Sequence, residues 1–192
     1  MAVAAALVLG VSGLTACRTN VGSAATIDGH RVSESDVADY LTSSAQPLKS
    51  SDGTQSVAPK PFVVDILIRQ RLYRKILQAS PTGAPTSGQL TTLRRQYLAG
   101  SSTKATVERL GVKGYRPSFD SAIVDVQVLA SLLNQEQQQG ADLSAVLKKL
   151  RFPVSVNPRY GTWDTKNLRL VSDAKAGVPT FLRLQTTSST QP

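Results

Sequence analysis

The 192-residue chain has one cysteine, one histidine and one tryptophan, and aromatic side chains make up 5% of it. A lone thiol excludes any disulfide within the chain, so packing alone must stabilise the fold. With Cys17 and His30 the sole members of their kind, the Cys/His spacings of a zinc site are excluded as well. Long apolar runs are also missing. The apolar run Ala2 to Gly13 falls short of the roughly 20 residues that span a bilayer as a helix. Acids are scarce, with 13 Asp and Glu against 22 Lys and Arg, a formal net charge of +9. The bases are scattered and carry no interleaved aromatics, no helix-turn-helix and no RNA-binding motif, so nucleic acid is not expected as a partner. No nucleophile elbow, phosphate-binding loop or pair of carboxylates is visible either. No catalytic residue, metal or cofactor is therefore expected, and the chain reads as a non-enzyme.

What is present begins at the N-terminus. Ala2 to Gly13 holds Ala, Val, Leu and Gly with one Ser and no charge, which suits the core of a signal peptide. It closes on Leu14, Thr15, Ala16 and Cys17. Small residues at Thr15 and Ala16 admit a peptidase, and the Cys17 thiol is a nucleophile for lipid transfer. This tetrapeptide resembles the lipobox of bacterial lipoproteins, which implies a thioether-linked lipid on Cys17 and cleavage before it. Met1 is followed directly by Ala2, so the usual basic leader is lacking and the true start is expected upstream. The competing reading is a cytosolic protein with a frayed N-terminus and an inert cysteine. A lipid-anchored, extracytoplasmic address is the expectation carried forward. The excess of base fits a tethered protein near anionic headgroups or acidic clients.

Expected domains follow in order: signal peptide 1–16, tether 17–24, helical domain 25–164, and a partly disordered tail 165–192. Ala25 to Val32 predicts two short strands around an Asp28-Gly29 turn. Ser33 and Asp36 form a capping pair for a helix from Glu34. Thr42 to Lys60 is polar and predicts a mobile loop. Pro61 suits a first helical position, and Phe62 to Ala79 is the strongest helix, with Phe62, Val63, Ile66, Tyr73 and Ile76 on one stripe. Asp65 and Arg69 can pair along it. Further helices are predicted after Thr86 or Ser87, with Leu90, Leu93 and Tyr97 on one face, and after Ser102. Pro117 opens a long one, although Val124, Val126 and Val128 alternate as in a strand. Asp142 caps the last, Leu143 to Leu150. Val154-Ser155-Val156 predicts a strand, and Leu168 to Val171 another extended piece. The expected fold is mainly α: an irregular helical domain with a small β-sheet pairing the N-terminal strand with one after the last helix.

The opening Ala25 to Ser33 and the closing Val154 to Asp164 resemble the N-terminal chaperone region of SurA-type proteins, shared with PrsA-like foldases. That resemblance implies an extracytoplasmic protein holding unfolded or newly exported polypeptides in an apolar groove between helices. No parvulin prolyl-isomerase domain follows Asp164, so isomerase activity is expected to be absent. Candidate client-binding residues are Phe62, Ile66 and Tyr73 on the long helix, with Tyr160 and Trp163 near Arg159 in the closing segment. Ordinary core packing competes with this role for all five. His30 reads as a solvated turn residue, and Glu136, Asp164 and Asp173 as isolated acids. Two functions remain: a lipid-anchored, holdase-like chaperone, or an envelope scaffold or assembly lipoprotein that binds one folded partner. An apolar groove open beside Phe62 to Ala79 would favour the first, and a sealed core there the second.

Overall fold

A computed structural model of the chain describes residues 22–49, 56–165 and 168–171. Leu14, Thr15, Ala16 and Cys17, the expected signal peptide and most of the expected tether lie outside the described residues, as does the chain beyond Val171.

The fold opens on a hairpin of β1 (Ser23–Ile27) and β2 (His30–Ser33). Asp28 and Gly29 at its tip both take positive φ, +50° and +79°, the twist that two-residue hairpin turns need. Ser33 then caps α1 (Glu34–Ala38), its hydroxyl accepting from the Asp36 N–H while the Asp36 carboxylate accepts from the Ser33 N–H. Those bonds hold the Asp36 carboxyl below its ordinary pKa.

The segment expected to be a mobile loop is partly ordered. β3 (Leu48–Lys49) pairs antiparallel with β4 (Ser56–Val57), and the Leu48 side chain is buried. The polar composition misleads because the order comes from bonds between the Gln46 main chain and a distant segment. The Gln46 N–H donates to the Lys113 carbonyl at 3.1 Å, and the Tyr115 hydroxyl donates to the Gln46 carbonyl at 3.0 Å.

α2 (Pro59–Gln78) starts earlier than Pro61 alone suggests, with Pro59 at its first position and no side-chain cap from Ala58. α3 (Ser87–Leu98) is capped by a Thr86 and Gln89 box, α4 (Thr103–Arg109) by Ser102, and α6 (Leu143–Lys149) by Asp142. α5 (Pro117–Gln138) is helical throughout. It packs against α2, α3 and α4, so Ile123, Val124, Val126 and Val128 are all buried on different faces. Wrapping on several sides is what breaks the single-stripe period and mimics a strand. α3 is held more loosely than its expected stripe implies. Leu90 is its one buried residue and Tyr97 is 39% exposed, but Arg94 reaches the buried Asp125 of α5 through two nitrogens. That hydrogen bonding holds the Arg94 pKa above its ordinary value.

The chain returns as β5 (Val154–Val156), which pairs antiparallel with β1, so the sheet order is β2-β1-β5. The fold is therefore mainly helical, with the N-terminal strand paired to a strand that follows the last helix. A short 3-10 turn (Pro158–Tyr160) leads into a second hairpin, β6 (Thr162–Asp164) with β7 (Arg169–Val171), placing Trp163 opposite Leu170. Leu170 is buried, so the packed core continues past Asp164 into the segment expected to be a tail.

Candidate functional site

The stripe of α2 that was expected to face a client is sealed. Phe62 is 1% exposed, and Ile66 and Tyr73 are 0% exposed. Phe62 meets Phe119 edge-on at 5.5 Å and Tyr115 at 5.9 Å, while Tyr115 stacks on Phe119 at 4.9 Å. These aromatic contacts close the space between the start of α2 and α5. Further along α2 the buried face turns polar. The Arg69 guanidinium donates to Asp65 at 2.7 Å and to the Tyr73 hydroxyl at 3.2 Å. Burial alone would lower the Arg69 pKa, but Asp65 and Tyr73 outweigh it and hold the group well above its ordinary range. The other Asp65 oxygen accepts the Leu170 N–H at 3.1 Å, so the same carboxylate fastens β7 to α2. Trp163 is 9% exposed and belongs to that hairpin. Four of the five candidate contact residues are thus core, because each lies on the inward side of its element.

Tyr160 is the exception in place, though not in burial. Its ring is 3% exposed, yet it forms one wall of a surface cleft of about 530 Å³. Leu41, Thr42 and Ala45 from the segment after α1, Ala58 to Pro61 from the start of α2, and Arg159 beside Tyr160 complete the lining. The volume lies within the roughly 300–1,000 Å³ range of small-molecule sites. Three pieces far apart in sequence build it, which is why the sequence hinted at it only through Arg159 and Tyr160. Thr42 is set by its hydroxyl, which donates to the Gly114 carbonyl. Pro59 and Pro61 have no N–H to offer, so the N-terminal end of α2 presents rings where it would otherwise present donors.

Behind the cleft, the Tyr160 hydroxyl donates to Glu34 of α1, and Arg159 lies 3.4 Å from the same carboxylate. Burial and the Glu34 charge push the Tyr160 pKa up to about 12. A raised folded pKa means that this hydroxyl contributes stability below pH about 10, lost as pH rises through about 12. Urea unfolding of the protein and of Tyr160→Phe should therefore differ by a constant amount up to pH about 10 and converge above it. A gap that stays flat through the alkaline range would show that the bond to Glu34 contributes nothing.

His30 sits at the exposed start of β2. Glu136 is buried on α5, and Asp164 lies 3.8 Å from Arg169 in the second hairpin; Asp173 is outside the described residues. Among the described residues no group of three or more His, Cys, Asp or Glu side chains could hold a metal ion, and no helix is long and apolar enough to cross a membrane. No family model matches the chain, and no curated protein or solved structure is similar to it.

Proposed function

We propose that this chain is a lipid-anchored envelope protein of the scaffold or assembly type, one that recruits a specific folded partner and does not hold unfolded clients. The observation that carries this reading is the sealed face of α2. A holdase must offer apolar surface to many sequences, yet Phe62, Ile66 and Tyr73 are together no more than marginally exposed. Tyr97 and Val171 are the only large hydrophobic residues exposed among the described ones, at 39% and 40%. Two isolated side chains are ordinary for a soluble surface and do not make a client platform. Partner contact then falls to polar and basic surface, in keeping with the net charge of +9, which favours acidic faces and speeds encounter with them. The address rests on the Leu14 to Cys17 motif.

Photo-crosslinking in cells from probes on the exposed faces of α3 and α6 separates the two functions. One stoichiometric adduct is expected. A broad ladder of adducts, together with delayed aggregation of an unfolded model protein at several-fold excess of this one, would return the assignment to a holdase.

A further inference from the structure

We infer that the cleft at the start of α2 seats the headgroup of an anionic phospholipid, in the membrane to which Cys17 ties the chain. The inference rests on the lipid anchor proposed above and adds a second, non-covalent contact that orients the domain.

Position is the first argument. The carbonyl of Gly22, the first described residue, accepts the Glu34 N–H at 3.0 Å. The Glu34 side chain in turn meets the Tyr160 hydroxyl in the cleft wall. Gly22 therefore lies on the cleft's side of the fold. The stretch from Cys17 to Gly22 reaches at most roughly 18 Å when fully extended. A lipid on Cys17 therefore keeps the cleft end of α2 within reach of the bilayer.

Chemistry is the second. Leu41, Ala45, Pro59, Pro61 and the Tyr160 ring supply an apolar floor. Lys60 and Arg159 supply two cations at the rim. Lys60 has no carboxylate partner among the described residues, and the Arg159 side chain remains 66% exposed despite its contact with Glu34. Glu34, the acid at this edge, accepts the Tyr160 hydroxyl and lies 3.4 Å from Arg159, so Lys60 and Arg159 together leave the cleft an excess of positive charge. The phosphate of such a headgroup matches the two rim cations, and the carbons of its glycerol lie on the apolar floor. An acidic peptide fits it less well, since an extended chain seeks main-chain partners and Pro59 and Pro61 donate none.

The test uses the full chain carrying Cys17→Ala, so that no covalent lipid contributes, and vesicles of phosphatidylglycerol with phosphatidylcholine against phosphatidylcholine alone. Neutralising the rim with Lys60→Gln and Arg159→Gln should weaken binding to the anionic vesicles on the order of 30-fold. Lys148→Gln with Lys149→Gln on α6 removes the same charge outside the cleft and should weaken it less than threefold. Equal losses for the two pairs, or equal binding of the unneutralised chain to both vesicle types, would overturn the inference. So would polyglutamate that binds this chain more tightly than the vesicles do and loses that binding in the rim variant, because the cleft would then be a polypeptide site. Metabolic labelling with an alkyne fatty acid reports separately on Cys17. Labelling that survives Cys17→Ala removes the anchor reading, whereas vesicle binding that ignores the rim removes only the headgroup site.

Discussion

Asp65→Ala is expected to destabilise the protein by about 3–5 kcal/mol, the usual result of leaving one partner of a buried ion pair without the other. The Arg69 side chain is 2% exposed and that of Asp65 5%, so water cannot take over the guanidinium once the carboxylate is gone. The substitution also removes the acceptor of the Leu170 N–H, which loosens β7 along with the helix. For a chain of this size the loss corresponds to a melting temperature lower by about 10 °C, out of a total stability of about 5–15 kcal/mol for an ordinary domain. Denaturant unfolding monitored at Trp163, which pairs with Leu170 across the second hairpin, reads both effects together. Adding Arg69→Met to Asp65→Ala should restore a large part of the loss, since an apolar pair of similar volume leaves no buried charge. A single-variant loss below about 1 kcal/mol would mean that the pair is hydrated in solution.

The second large effect is expected at Gly114. Its φ of +79° is a left-handed conformation that side chains resist. A Cβ there would stand 2.1 Å from the Ser44 carbonyl oxygen and 2.8 Å from the Ala45 nitrogen. Both neighbours are backbone, so relief requires the whole 42–45 segment to move. Gly114→Ala should then cost about 2–4 kcal/mol by strain and displacement together. The damage should also be directional, because Thr42 and Ala45 line the cleft. Hydrogen exchange in the variant should rise first at residues 42–46 and 113–116, with α5 unchanged at low denaturant. Uniform protection in the variant would show that the close approach is not maintained.

Much of the architecture was readable from local chemistry. Ser33, Thr86, Ser102 and Asp142 each cap a helix, and the reading of Asp28-Gly29 as a turn agrees with the positive φ of both residues. These signals act over three or four residues, so a sequence displays them without knowledge of the fold. What escaped depends on contacts between distant segments. The order around Gln46 comes from bonds to the Lys113 carbonyl and the Tyr115 hydroxyl, which polar composition cannot announce. The burial of Asp65 and Arg69 has a local sign. Residues 65, 69 and 73 recur at the helical period beside Phe62 and Ile66, and so share the inward face. The cleft had almost no sign, because its walls come from three separate pieces of chain.

The strand order carries a consequence for how the molecule is made. β1 sits between β2 and β5, and Ala25 pairs with Val156 across almost the whole folded length. A chain that emerges N-terminus first can close the β1–β2 hairpin at once, but the other edge of β1 waits until every helix has been delivered. Such late, non-local pairing slows folding. It also leaves an interval in which β5 of a neighbouring copy, held on the same surface by the lipid proposed for Cys17, competes for the open edge. Strand exchange with a second copy is thus the misassembly to expect from this strand order.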